Sequence, residues 1–186
     1  MHYILRVQLS GFYSEVASRQ LGDIVAVHRG KKVLCAPQPA LDRGVQVGMP
    51  LAEAKAIWPS GKFVAWQEDH YTQEQERWLN WCAEYSDRIE PDEQHACFVD
   101  LTGHPDPAEI SRKLGGELAL HGYLCQLGLA RSKWIATLAA MPLTGDSILD
   151  EVRLLDPIRD TAGYICALPV SQLLPASEPH RARLAF

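Results

Sequence analysis

Apolar positions alternate along residues 3–9, "YILRVQL", which is the period-two signature of a buried strand. A glycine breaks the alternation. In "GFYSEVASRQL" the spacing of Phe12, Val16 and Leu21 predicts a helix with these residues on one face. "DIVAVHRGKKVLCA" holds a β-type run on each side of Arg29-Gly30-Lys31, a hairpin signal. "PQPALDRGVQVGMP" is rich in proline and glycine and predicts turn and short helix. "LAEAKAIW" predicts a short amphipathic helix closed by Pro59. From Glu68 to Arg88 the spacing is helical, and Tyr71, Trp78, Trp81, Cys82, Tyr85 and Ile89 form one stripe, expected to be core. "ACFVDLTG" reads as a strand and turn, and "DPAEISRKLGGELALHG" as an amphipathic helix capped near Asp106. "YLCQLGLA" reads as another strand, and "RSKWIATLAAM" as a helix that ends before Pro142.

This order predicts an α+β fold. A mixed or antiparallel sheet carries helices on one face, with a small insertion near residues 22–66. The chain has 186 residues, 47% of them hydrophobic, enough for one large domain or two small ones. No apolar run approaches the ~20 residues of a membrane-spanning helix. Met1-His2-Tyr3 leads directly into a strand, so no signal peptide is expected. The five cysteines, Cys35, Cys82, Cys97, Cys125 and Cys166, are scattered without a CxxC pair. That pattern points to reduced thiols in a cytoplasmic protein rather than disulfides or zinc. The formal net charge of −5 argues against autonomous binding to nucleic-acid phosphates, so contact with DNA is expected to be weak or indirect.

Five segments, in order, resemble one family. "VQLSGFYSEV" resembles the opening V-D-x-D-x-F-[FY]-A-x-V of Y-family translesion DNA polymerases. "GVQVGMPLAEAKAIWP" resembles their fingers segment. "YSDRIEPDEQHACFVDLTG" resembles their E-P-x-S-x-D-E-x-x-x-D-x-T-G strand. "GYLCQLGLARSKWIATLAA" resembles G-x-x-x-x-x-G-I-[AS]-x-[NS]-K-x-x-A-K-x-A, and "LPVSQLL" the entry to the thumb. The resemblance covers residues 4 to about 184. It implies a ferredoxin-like palm from 1–21 and 67–167, a fingers insertion at 22–66, and the start of a truncated thumb at 168–186.

The same resemblance implies what has changed. Family polymerases hold two Mg²⁺ ions on three carboxylates, because a hard cation bridging phosphates needs anionic oxygen. Those positions are Gln8, His95 and Ala96 here. A register slip that would use Asp92 and Glu93 is opposed by Glu90-Pro91 on one side and Asp100-Leu101-Thr102-Gly103 on the other. The triphosphate contacts of the family fall on Gln38, Leu41 and Thr137, and the steric-gate aromatic on Tyr13. Tyr13 is also read as a core aromatic packing under the insertion. With Leu41, Ala96 and Thr137 in place of charged residues, the cleft is expected to be neutral and apolar, and free to become a contact surface.

These losses are the pattern of the ImuB-type relatives. The resemblance then implies a chain that is no enzyme, needs no cofactor, and acts as an adaptor in bacterial DNA-damage-induced mutagenesis. Its implied partners are a RecA-like, ImuA-type cassette protein, an error-prone replicative-type polymerase, and a sliding clamp reached through regions beyond Phe186. The alternatives are a DNA-binding module and an active nucleotidyltransferase with relocated ligands drawn from Asp92, Glu93 and Asp100.

Other constellations change little. His95 and His104 do not form an H-x-x-x-H pattern, so no metal site is expected. Ser14-Glu15 and Ser132-Lys133 lie outside any nucleophile-elbow pattern. "HRGKK" reads as a solvated hairpin turn. Arg131 and Lys133, at a helix start, are candidates for contact with a DNA backbone. In "LPVSQLLPASEPHRARLAF" the hairpin glycines of the family thumb fall on Pro175 and Ser177. Leu184 and Phe186 are spaced like the end of a clamp-binding peptide.

Overall fold

The computed structural model describes residues 2–141, 153–155 and 161–168. In chain order the elements are β1 (Ile4–Leu9), α1 (Phe12–Leu21), β2 (Val25–Arg29), β3 (Lys32–Cys35), α2 (Gln38–Leu41), α3 (Leu51–Ile57), β4 (Lys62–Ala65) and α4 (Glu68–Ala83). They continue with β5 (Ile89–Pro91), β6 (Ala96–Asp100), α5 (Pro107–Leu120), β7 (Cys125–Ala130), α6 (Lys133–Ala140), β8 (Arg153–Leu155) and α7 (Thr161–Ala167). The thumb start, the hairpin positions Pro175 and Ser177, and Leu184 and Phe186 lie outside the described residues, apart from Leu168.

The larger sheet has the order β5-β6-β1-β7-β8. Its pairings are antiparallel except β7 with β8, which is parallel. β1 is the central strand. Its period-two pattern sends Leu5, Val7 and Leu9 to one face, level with Val99 and Cys97 on β6 and with Leu129, Leu127 and Cys125 on β7. On that face α1, α4 and α5 supply Phe12, Val16, Trp78, Cys82, Leu114 and Leu118 to one core. The stripe on α4 is core, as its spacing predicts: Tyr71, Trp78 and Cys82 are buried and Trp81 and Tyr85 pack against them. Burying each Leu or Val of this layer contributes roughly 1.5–3 kcal/mol.

The α+β class stands, with one change in the layering. The expectation of helices on one face holds for α1, α4 and α5. α6 lies on the other face, where Ile135, Ala136 and Leu138 pack with Ile4 and Ala130. Gly128 makes this approach close, since a Cβ built there would meet the Ala136 carbonyl oxygen at 2.1 Å. β1 is therefore covered on both faces, and even Arg6, between its apolar residues, is buried.

The caps follow their sequence signals. Asp106 Oδ1 accepts the Glu109 amide at 2.9 Å at the start of α5, with Pro107 in the first turn. Leu21 departs from the expected apolar face of α1 and is 44% exposed, because the helix ends there at Gly22 (φ 63°).

A second sheet, β3-β2-β4, lies within the insertion. The β2–β3 hairpin turns at Gly30 (φ 58°), as "RGKK" predicts, and β4 pairs parallel to β2. β4 was not anticipated, because four residues between Gly61 and Trp66 carry too little periodicity. A separate small core of Ala26, Val33, Ala40, Val45, Ala54 and Trp58 sits beneath this sheet.

Candidate functional site

β1 ends in a left-handed glycine, Gly11 (φ 62°), which turns the chain sharply into α1. A cleft of about 360 Å³ opens at this corner. Gln8, Tyr13, Cys35, Glu93, His95 and Gln126 line it. Gln8 is the Cα partner of Ala96 on β6 and of Gln126 on β7, so two amides stand side by side across the central strands. Ala96 is fully buried.

His95 precedes β6, and its carbonyl accepts the Leu9 amide at 2.8 Å. Its Nδ1 lies 3.4 Å from a Glu93 carboxylate oxygen without forming a hydrogen bond. Burial, helped by the Arg6 charge, lowers the imidazole pKa below its usual value, although Glu93 and Asp92 pull the other way. The ring is therefore a neutral group at pH 7. Tyr13 serves two surfaces. Its ring packs edge-on against Tyr71 at 5.0 Å and Phe12 at 5.3 Å, and it also lines the cleft, 5.7 Å from the His95 ring. Burial first, then Glu93 and Cys35, raises its phenol pKa. Burial likewise raises the Cys35 thiol.

The acids of the neighbouring segment do not gather in the cleft. The Asp92 carboxylate pairs with the Arg6 guanidinium. Asp100 accepts the Thr102 amide at 2.8 Å and lies 3.7 Å from Arg88. Glu93 alone of the three lines the cleft, held by a left-handed backbone (φ 58°) that is uncommon outside glycine. Among the described residues no three His, Cys, Asp or Glu side chains gather to hold a metal ion. Amide, imidazole and methyl groups at 8, 95 and 96 do not fit a pair of Mg²⁺ ions.

The structure brings Gln8, His95 and Tyr13 together and leaves the other anticipated residues elsewhere. Gln38 is exposed and donates to Asp42 at 2.6 Å. Leu41 packs on the small core of the insertion. The Thr137 hydroxyl donates to the Lys133 carbonyl at 2.9 Å. The expected apolar contact surface is therefore corrected: Leu41 is turned into its own core, Ala96 is covered, and neither it nor Thr137 lines the cleft. Arg131 is exposed, whereas Lys133 is tied to Glu90 beside the Phe98 ring. Gln126 and Cys35 were not anticipated as lining residues, whereas Glu93 had been named among the alternative ligands. Gln126 carried a legible signal, as a polar residue within an otherwise apolar strand.

The family described as IMS, impB/mucB/samB, matches residues 9–141. A protein of Moorella thermoacetica named DNA polymerase IV is 27% identical across 100% of this chain and 46% of its own length. One of Pelotomaculum thermopropionicum with the same name is 30% identical across 91% of this chain and 44% of its own. The chain thus spans less than half the length of these relatives. Among solved structures, a Y-family DNA polymerase chimera superposes with a TM-score of 0.81 at 20% identity, covering 97% of this chain and 56% of that one. DinB from Sulfolobus solfataricus gives 0.75 at 21% identity, covering 94% and 53%. The palm fold expected from the motifs is the fold observed. The expectation of a chain that is no enzyme is corrected by these relatives, which are named DNA polymerase IV.

Proposed function

The chain belongs to the impB/mucB/samB family, and from that premise we propose that it acts in DNA-damage-induced translesion synthesis as an adaptor working through protein–protein contacts. Residues 1–21 and 67–167 serve as its palm and 22–66 as its fingers. The observation that carries this reading is the Gln8–Gln126 amide pair beside the neutral His95. Uncharged donors and acceptors in a half-open cleft suit the backbone and amide groups of a protein segment. The partners we propose are a RecA-like, ImuA-type protein and an error-prone replicative-type polymerase. The experiment is calorimetry of the chain against each purified partner, then of Gln8→Leu and Gln126→Leu. Micromolar binding that these substitutions weaken about tenfold supports the adaptor. Absence of binding to either partner overturns it.

A second reading is favoured by the name of the relatives, DNA polymerase IV. Under it the chain takes part in nucleotidyl transfer, with Glu93 as the carboxylate closest to hand. Primer extension with Mg²⁺ or Mn²⁺, abolished by Glu93→Gln, supports that reading. Extension that Glu93→Gln leaves unchanged removes Glu93 from the chemistry.

A further inference from the structure

The small sheet β3-β2-β4 has two edges, and the chain closes only one of them. Along β3 the segment from Gly48 to Leu51 supplies the missing partner. The Gly48 amide donates to the Val33 carbonyl at 2.8 Å, that of Val33 to Met49 at 3.0 Å and that of Leu51 to Lys31 at 2.8 Å, and Lys32 forms a bridge with Pro50. β4 has no such cover. Its neighbour β2 buries Val25, Ala26 and Val27 completely, whereas on β4 Lys62 and Ala65 are exposed and Phe63 and Val64 are half-buried.

The register fixes which backbone groups β4 leaves over. β4 runs parallel to β2, and the Trp66 amide donates to the His28 carbonyl at 2.8 Å. In a parallel ladder each residue turns its N–H and C=O to one side, and successive residues alternate. Lys62 and Val64 therefore face β2 together with Trp66, and the amides and carbonyls of Phe63 and Ala65 point away from the sheet. Among the described residues no other backbone segment hydrogen-bonds to them. Two donors and two acceptors in a row are a template for one more strand. Lys62, the one charge on β4, is drawn toward Asp23 at the start of β2, 3.8 Å away, and does not guard the edge.

We propose that β4 of a second copy covers this edge, in an antiparallel pair about a two-fold axis. Facing residues of a continuous sheet share a face, so the axis falls on a residue rather than between two. Centring it on Val64 uses every free group: Phe63 exchanges two hydrogen bonds with the partner's Ala65, and Ala65 two with the partner's Phe63. A centre at Phe63 would draw on Gly61, whose amide is already given to the Trp58 carbonyl at 3.0 Å. A centre at Ala65 would draw on Gln67, whose carbonyl already accepts the Tyr71 amide at 3.4 Å. The side chains match in the same register. On one face the large Phe63 stands opposite the small Ala65 in both halves. On the other, Val64 meets Val64 across the axis, and the Lys62 stem lies beside the partner's Trp66. A two-fold interface requires such self-complementarity. Four residues bury little area, so the dimer is weak and forms as concentration rises. No residue of β4 lines the cleft at Gly11, and the interface goes beyond the adaptor reading, which does not require it.

The test is sedimentation equilibrium of the whole chain from micromolar to millimolar concentration. The expected result is a mass that climbs from one chain toward two. Ala65→Pro removes the outward N–H at an exposed position, and edge strands accept proline there. It takes away two of the four bonds and is expected to weaken the dimer about tenfold or more, while the thermal melt of the dilute protein stays unchanged. Val64→Lys and Val64→Glu each bring like charges together across the axis and are expected to weaken the dimer about as much. An equimolar mixture of these two variants is expected to associate again, and added salt to weaken the mixed dimer. A single-chain mass at every concentration overturns the proposal and leaves the edge to a strand of another protein. So does a dimer that Ala65→Pro leaves intact, or a mixture of the Val64 variants that associates no better than either alone. No other protein enters the assay, so its failure and that of the adaptor reading are distinguishable.

Discussion

Arg6, in the middle of β1, forms an ion pair with Asp92 in the turn after β5, and its guanidinium carbon lies 4.5 Å from the centre of the Phe98 ring. The Arg6 side chain is 7% exposed and that of Asp92 48%. Lys133 and Glu90 repeat the arrangement one step along, with the Lys133 ammonium 5.4 Å from the same ring. Two cations flanking one aromatic ring thus hold the short edge strand β5 against the sheet.

Removing one partner of the Arg6 pair leaves a buried charge. Asp92→Asn is expected to destabilise the fold by about 1–2 kcal/mol, the cost of an unmatched charged group with one partner near solvent. Arg6→Met keeps an apolar chain over Phe98 and removes the buried charge, so its cost is expected to be smaller. Urea unfolding of the single and double variants checks the order. A larger loss for Arg6→Met than for Asp92→Asn would contradict it.

Gly128 is expected to tolerate no side chain. Its Cβ would stand 2.1 Å from the Ala136 carbonyl oxygen and 2.7 Å from the Ala140 amide nitrogen, both backbone atoms of α6. Gly128→Ala must push α6 off the sheet, at about 3 kcal/mol. Gly116→Ala, in open space on α5, is expected to be neutral or stabilising. Thermal melts of the two variants should move in opposite directions or differ by several degrees.

The buried carboxylate of Glu74 joins α4 to α1 and to the segment that leads into β7. It accepts from the Tyr123 hydroxyl and from Arg77 at 2.7 Å, and Arg19 lies 3.5 Å away. Burial, then the Glu74 contact, pushes the Tyr123 phenol up to about 12. Tyr123→Phe is expected to cost about 1 kcal/mol. It should also remove one late-titrating phenol from the absorbance titration at alkaline pH. Loss of a phenol that titrates near the ordinary value of ~10 instead would show that the contact is not formed.

His95 links stability to acid. Burial lowers its native pKa, so the unfolded chain takes up the proton first as pH falls. Stability from this group is present in full above the unfolded value of ~6.5 and is lost as pH falls from there through the lower native value. His95→Asn should remove that part of the decline, seen as a flatter urea midpoint below pH 6.5. An unchanged slope would place the titrating group elsewhere.

Most of the elements were legible as periodicity. The alternation of "YILRVQL", the stripe from Tyr71 to Tyr85, the cap at Asp106 and the turn at Arg29-Gly30-Lys31 each depend on neighbours within one turn or one hairpin. Such interactions are written locally in the chain. The family motifs were legible for the same reason, as short strings in a set order. β4 and β5 escaped because three or four residues hold too little of a period.

The positions of the substituted residues were a different matter. The family resemblance implied that Gln8, His95, Ala96, Leu41 and Thr137 stand around one cleft. Alternation states which residues share a face of a strand, and says nothing of what covers that face. Ala96 is covered and Leu41 belongs to a separate core, because each is packed by segments far away in the chain. The same holds for Arg6. Within its strand it is a lone polar residue among apolar ones. Only the pairing of β1 with β6 puts Phe98 under its guanidinium, and only the turn after β5 brings Asp92 within reach of its charge. Local spacing determined most of the elements, and the resemblance of short motifs in a set order carried the family. Long-range pairing and layer packing, which decide where each side chain meets water, charge or another core, were settled only in the tertiary structure.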